Sequence, residues 1–192
     1  VFNAQTEAVH QGGFRRGANM AILRVDHPDI LEFIDMKSDL TAMTNFNISV
    51  AVTDRFMEAV KADADFELMN PRTEQVAGRI RARELFDRIV DRAWRTGEPG
   101  IIFIDEINRR NPTPAQGDLE ATNPCGEQPL LANEACNLGS LNLGRFVRRA
   151  ASFDEAAEKR VDWAAFRHAI RASVRFLDDV IDMNRYPLKV ID

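Results

Sequence analysis

Three side chains able to react or to form hydrogen bonds fall inside one short stretch, Ala121-Thr-Asn-Pro-Cys-Gly-Glu-Gln-Pro-Leu130. Cys125 has Asn123 two residues before it and Glu127 two residues after it. A thiol can act as a nucleophile, a carboxylate can take a proton as a base, and an amide can hydrogen-bond. The residues between them exclude a regular helix or a central strand. Pro124 and Pro129 lack an N–H and fix φ, and Gly126 tolerates conformations that other residues avoid. The stretch therefore reads as a stiff loop presenting an amide, a thiol and a carboxylate at one point. Loops rich in Asn, Gly and Pro also serve as plain turns. From these residues alone, the structural turn and the reactive loop both stay open.

Other candidates are scattered along the chain. Cys136 follows eleven residues after Cys125 and on sequence alone reads as a small buried hydrophobe, a common fate of free cysteine. Gln11-Gly12-Gly13-Phe14-Arg15-Arg16-Gly17 reads as a flexible loop carrying two guanidiniums. Arg15 and Arg16 either fork onto an anionic ligand or form a solvated basic turn. Asp105 and Glu106 stand at the end of the apolar run 100–104, where carboxylates can catalyse or bind metal. The preferred reading makes them turn residues or partners of Asn108 and the Arg109–Arg110 pair. His27 reads as a capping or packing residue. No acidic cluster completes a metal site, and two cysteines with three scattered histidines make a poor zinc site, so no metal is expected.

Such groups need a framework, which the apolar periodicities supply. Residues 1–11 read as the tail of a helix with Phe2, Thr6 and Val9 on one face, stopped by Gly12-Gly13. Residues 19–25 predict a buried strand, and Pro28 the first position of a helix whose inner face is Ile30, Phe33 and Ile34. Residues 44–52 predict a strand with Phe46, Ile48, Val50 and Val52 on one side. A helix starting at Thr53-Asp54 should follow, carrying Phe56, Met57 and Val60. A short strand and turn is expected around 66–71, outside the main sheet. Leu85, Phe86, Ile89, Val90, Ala93 and Trp94 predict a longer helix that stops at 97–100, and 100–104 a compact strand. Residues 133–143 predict a strand containing Cys136, and Ser152 with Glu155 a capping box. Trp163, Phe166, Ile170, Val174, Leu177 and Ile181 predict the core stripe of a last helix. Strands alternating with helices argue for an α/β fold with parallel strands.

Composition narrows the functional classes. Lys and Arg number 25 against 30 Asp and Glu, a formal charge of −5, which argues against a general nucleic-acid-binding surface. With 45% hydrophobic residues, 192 positions can build the core of one ordinary domain. No apolar run approaches the roughly 18 residues of a membrane helix, and no signal peptide opens the chain. A reducing, cytoplasmic setting is expected. The chain starts at Val1 without an initiator Met and stops just after Tyr186-Pro187, so it is expected to be an interior fragment of a longer polypeptide.

Six motifs, taken in order, resemble one family. They are Gly12-Gly-Phe-Arg-Arg-Gly-Ala-Asn-Met-Ala-Ile-Leu23, His27-Pro-Asp-Ile30, Thr44-Asn-Phe-Asn-Ile-Ser-Val50 and Asn123-Pro-Cys-Gly-Glu127. Ala135-Cys-Asn-Leu-Gly-Ser-Leu-Asn-Leu143 and Arg175-Phe-Leu-Asp-Asp-Val-Ile-Asp-Met-Asn-Arg-Tyr-Pro187 complete the set. Together they resemble the large subunit of the ribonucleotide reductases, most closely the class II, adenosylcobalamin-dependent enzymes, along essentially the whole chain. The resemblance implies that residues 1–192 are part of a ten-stranded α/β barrel, with the Cys loop running as a finger through its centre. The N-terminal and C-terminal parts of that catalytic domain would lie elsewhere.

What the resemblance implies for chemistry is reduction of ribonucleotides to deoxyribonucleotides for DNA synthesis. Cys125 would be the thiyl radical that removes the substrate 3′ hydrogen, Glu127 the general base for the 3′-OH, and Asn123 the hydrogen-bond partner and proton relay of the hydroxyls. Asn123, Pro124, Cys125, Gly126 and Glu127 would form part of the substrate pocket. Cys136 would belong to the redox pair, its partner lying upstream of Val1, and a Cys125–Cys136 disulfide is not expected. Gln11, Gly12, Gly13, Phe14, Arg15, Arg16 and Gly17 would relay the identity of an allosteric nucleotide. Implied partners are a ribonucleotide, a deoxynucleotide or ATP effector, a thioredoxin-like reductant and a second copy in a homodimer. The phosphorylation level of the substrate is not fixed. These residues alone are expected to reduce nothing. A class I large subunit, served by a separate radical-generating subunit, is the near alternative. A non-catalytic nucleotide-binding module with an inert Cys125 is the unlike one. A thiol hydrolase is disfavoured, because no histidine lies near Cys125 in sequence.

Overall fold

The first helix ends earlier than the glycines suggest. In the computed structural model, which describes residues 1–11, 15–149, 156 and 160–186, α1 (Phe2–Ala8) stops at Val9, whose backbone is extended. The chain then enters a small antiparallel ladder of β1 (His10–Gln11) with β2 (Arg15–Arg16). The helix expected over 1–11 is shortened because its last residues pair with β2 instead of continuing the helical turn. Phe2 and Val9, expected on a packed face, are exposed. Gly12, Gly13 and Phe14 lie outside the described residues, as do Ser152 and Glu155 of the expected capping box.

Contacts divide the chain into two units, Val1–Ala132 and Asn133–Asp192. In the first, β3 (Asn19–Arg24) leads to α2 (Ile30–Asp35), β4 (Phe46–Val52) and α3 (Asp54–Ala62). The hairpin β5 (Asp65–Met69) and β6 (Val76–Arg81) follows, then α4 (Ala82–Thr96), β7 (Gly100–Phe103) and α5 (Ile104–Arg109). β3, β4 and β7 form one parallel sheet with β4 in the middle. The hairpin forms its own antiparallel sheet, as the sequence suggested for its first strand. Pro28 does not open α2, whose N-cap is Asp29. Instead His27 Nδ1 accepts from the Asp29 N–H at 3.1 Å, a local turn role.

The parallel strands alternate between two environments. Val50 and Val52 on β4, with Leu23 and Val25 from the β3 side, pack against Ile30 and Ile34, Phe56 and Val60, and Leu85 and Ile89 of the three helices. Phe56 meets Phe66 edge-on, with centroids 5.1 Å apart, an arrangement favoured by the ring quadrupoles. Thr53 caps α3 by accepting from the Phe56 N–H, worth about 1 kcal/mol. Gly97 ends α4 with φ of 83°, a conformation that a Cβ would strain. Val90 and Trp94 of the α4 stripe remain exposed.

The opposite sheet face has a smaller apolar cluster of Ala51, Ile102 and Ile104, joined by Ile22 and Ile107. α5 covers only that end. Toward the strand starts this face carries Asn47 and Ser49, because strand side chains alternate. The fold is thus α/β with a parallel sheet, as expected.

The second unit holds a 3-10 turn over Leu143–Phe146 and the long α6 (Trp163–Met183), with the antiparallel β-bridge Val147–Val161 between them. Asp162 caps α6 by accepting from the Ala165 N–H. The strand expected over 133–143 is absent: that segment runs without a ladder into the 3-10 turn. Extended residues become a strand only beside a partner strand, and none lies along them. The α6 stripe also differs from expectation, since no residue of α6 is buried and Val174 and Ile181 are exposed. Within its unit the helix is met by Phe146, whose ring lies 5.1 Å from that of Phe166, and by residues 137–139. Among the described residues, no helix is long and apolar enough to cross a membrane.

Candidate functional site

The Cys125 stretch folds as a narrow hairpin. Its stem is β8 (Ala121–Thr122) paired antiparallel with β9 (Pro129–Leu130). At the tip, the Gly126 N–H donates to the Asn123 carbonyl at 2.9 Å and the Asn123 N–H to the Gln128 carbonyl at 3.1 Å. Gly126 takes φ of 83°, which lets the turn close without strain. The Asn123 side chain also builds the hairpin, its Oδ1 accepting from the Gln128 N–H at 3.0 Å. Its Nδ2 is thereby the end left to donate elsewhere. Cys125 is a free, exposed thiol, and Glu127 is exposed beside it. Asn123, Cys125 and Glu127 thus sit within one short hairpin tip.

The hairpin is held over the polar part of the sheet. Asn47 Nδ2 donates to the Pro124 carbonyl at 2.5 Å. Between hairpin and sheet lies an open cleft of ≈ 370 Å³ whose lining includes Met20, Asn47, Ser49, Glu98, Gly100 and Cys125. A Cβ on Gly100 would come within 2.8 Å of Ser49 Oγ, so the missing side chain keeps the cleft floor clear. Glu98 is fixed by two bonds: Oε1 accepts from Lys37 Nζ at 2.5 Å and Oε2 from the Ile48 N–H at 2.7 Å.

The remaining candidates sort differently. Cys136 is exposed and free, not a buried hydrophobe, and its neighbour Asn137 donates to the Leu177 carbonyl of α6 at 2.9 Å. Arg16 lines a shallow polar cleft of ≈ 240 Å³ with Thr6, Glu7, Thr44 and Asn45. Asp105 accepts from the Asp54 N–H at the start of α3, and Glu106 pairs with Arg109 and Arg110. The two arginines hold the Glu106 carboxyl below its usual range, mainly through the Arg110 hydrogen bond. Both acids are thus structural. Among the described residues, no group of three or more His, Cys, Asp or Glu is placed to hold a metal ion.

Sequence reading assigned no role to the side chains of Asn47, Ser49 and Glu98, and it named Asn108 only as a partner of Asp105 and Glu106, whereas Asn108 bonds Leu119. Two of them were accessible: polar residues at 47 and 49 alternate with the apolar positions 46, 48, 50 and 52, so they mark the face away from the helices. Glu98 and Asn108 carried no such signal.

Comparison with known proteins follows the same motifs. A family model described as the ribonucleotide reductase barrel domain matches residues 1–192. The vitamin B12-dependent ribonucleoside-diphosphate reductase of Thermoplasma acidophilum is 50% identical over 192 residues, covering 100% of this chain and 24% of that protein. The enzyme of the same name from Mycobacterium tuberculosis (strain CDC 1551 / Oshkosh) is 47% identical over 188 residues, covering 97% of this chain and 26% of its own length. The vitamin B12-dependent ribonucleotide reductase of Rhodopirellula baltica is 33% identical over 219 residues, covering 100% of this chain and 20% of that protein. The chain spans about a quarter of the length of the first two relatives and less of the third.

Proposed function

This chain belongs to the ribonucleotide reductase family, and we propose that it supplies the thiol half of the active site in an adenosylcobalamin-dependent enzyme that reduces ribonucleotides. The observation that carries the reading is the Cys125 hairpin: a free thiol, with Glu127 and the Asn123 amide beside it, over a polar cleft on a parallel sheet. In the complete protein the three-stranded sheet would be part of a ten-stranded barrel, with this hairpin as its central finger. The residues present fit one requirement of the cofactor, an accessible unpaired thiol; none is assigned to holding the corrin ring. When bound, adenosylcobalamin supplies the radical that the Cys125 sulfur receives.

Replacing a ribose 2′-OH by hydrogen is difficult because hydroxide leaves poorly from an unactivated carbon. Removing the 3′ hydrogen to Cys125 eases that departure. Glu127 takes the 3′-OH proton as general base, while the Asn123 Nδ2 donates to the hydroxyls. The 2′ oxygen leaves as water after protonation. Two electrons and two hydrogens come from a pair of thiols that closes to a disulfide, one hydrogen leaving in the water and the other ending on C2′; Cys136 would be one thiol, and the other lies outside this chain. Cys125 then returns its hydrogen to C3′. A thioredoxin-like reductant would reopen the disulfide. The segment Gln11 to Gly17, of which Arg16 lines the smaller cleft, would sense a nucleotide effector, and a homodimer working in the cytoplasm completes the reading.

The test uses the complete chain with adenosylcobalamin, a ribonucleoside diphosphate and a dithiol. Deoxynucleotide should form, and Cys125→Ser should abolish it while leaving the fold intact. Turnover that survives Cys125→Ser would leave the non-catalytic nucleotide-binding module standing. Turnover without cobalamin would favour a separate radical-generating subunit.

A further inference from the structure

We propose that Asn47 is a positioning residue for Cys125, holding the peptide plane that carries the thiol residue. The inference rests on the reading of Cys125 as the reactive thiol. Asparagine is depleted in strands, yet Asn47 is the second residue of β4, the central strand of the parallel sheet. Its register partner on β3 is Met20, and it stands on the face away from the main core. From there its Nδ2 reaches across 77 residues of sequence to the Pro124 carbonyl.

The target of that bond matters. The hairpin uses the Asn123 and Gln128 carbonyls for its own turn bonds, so the Pro124 oxygen is satisfied by the sheet. Pro124 C=O and the Cys125 nitrogen and Cα share one rigid peptide plane. Fixing the carbonyl therefore fixes the Cys125 Cα, leaving φ and the side-chain torsion to aim the sulfur. Hydrogen transfer between sulfur and carbon depends steeply on that aim, and a misplacement of about 1 Å can cost ~10²-fold in rate.

Asn47→Asp and Asn47→Ala, made in the complete reductase, test this. Aspartate keeps the size but has no N–H, and its oxygen repels the carbonyl. Both variants should lose about 10- to 100-fold in kcat, with the nucleotide KM within about twofold of wild type. Hydrogen exchange on the cofactor-free protein supplies a second readout. Amides of residues 121–130 should exchange faster in Asn47→Asp, while those of the 65–81 hairpin should not change. Unchanged kcat, a loss confined to KM, or faster exchange at 65–81 as well would each overturn the proposal. If wild type itself fails to turn over with cobalamin, the reductase reading fails instead. The exchange comparison then still decides whether Asn47 holds the hairpin.

Discussion

Asn108 binds both backbone polar groups of Leu119: its Nδ2 donates to the Leu119 carbonyl at 2.9 Å and its Oδ1 accepts from the Leu119 N–H at 2.7 Å. The side chain thereby imitates one rung of a strand ladder and fastens a buried residue just ahead of β8. With Asn47 at the tip, it gives the Cys125 hairpin a second point of attachment.

Asn108→Ala should destabilise the protein by about 1–3 kcal/mol, because two backbone groups of Leu119 lose their partner. Asn108→Asp keeps the acceptor and should cost less. Denaturant unfolding of the complete chain measures both. Equal costs would mean that the Oδ1 bond contributes nothing.

Asn123→Asp separates two roles of one side chain. The carboxylate can still accept from the Gln128 N–H, so exchange of the 121–130 amides should stay as in wild type. On the proposed mechanism the donor offered to substrate is gone, and kcat should fall about tenfold or more. Glu127→Gln should lower kcat by ~10²–10⁴-fold without moving the melting temperature, since Glu127 is exposed. A wild-type rate in either variant would remove that residue from the mechanism.

Lys37→Met leaves the Glu98 carboxylate without its cation, in a pair whose side chains are only 13% and 23% exposed. Losing one partner of a largely buried pair should destabilise by about 1–3 kcal/mol. Glu98→Gln should be milder, because an amide oxygen can still accept from the Ile48 N–H. Thermal unfolding ranks the two, and the reverse order would show that the cation is dispensable.

Asp35 sets an acid-sensitive part of stability. Its hydrogen bond to Arg88, followed by that to Arg92, holds its carboxyl below the ordinary range. A carboxylate with a lowered folded-state pKa stabilises above its unfolded value, about 3.9, and loses that contribution as pH falls through the lower folded value. Asp35→Asn should therefore be less stable than wild type at pH 7, with the difference shrinking below about pH 4. A difference that persists unchanged at pH 2 would assign the effect to packing.

By itself the sequence determined the repeating units of the fold. The period-2 run at 46, 48, 50 and 52, the Thr53 cap and the α4 periodicity are local rules, and the chain obeys them. It also determined the content of the hairpin tip, since Asn123, Cys125 and Glu127 are too close in sequence to be far apart in space. Tertiary structure decided what needed a distant partner. No strand formed over 133–143, because an extended segment becomes a strand only when another offers its backbone. The α6 stripe is apolar at helical spacing, yet Trp163, Ile170, Val174 and Ile181 are exposed and none of the stripe is buried, because periodicity selects a face but does not supply what packs on it. Asn47 and Pro124 lie 77 residues apart, and only the parallel register of β4 brings that amide beneath the thiol loop.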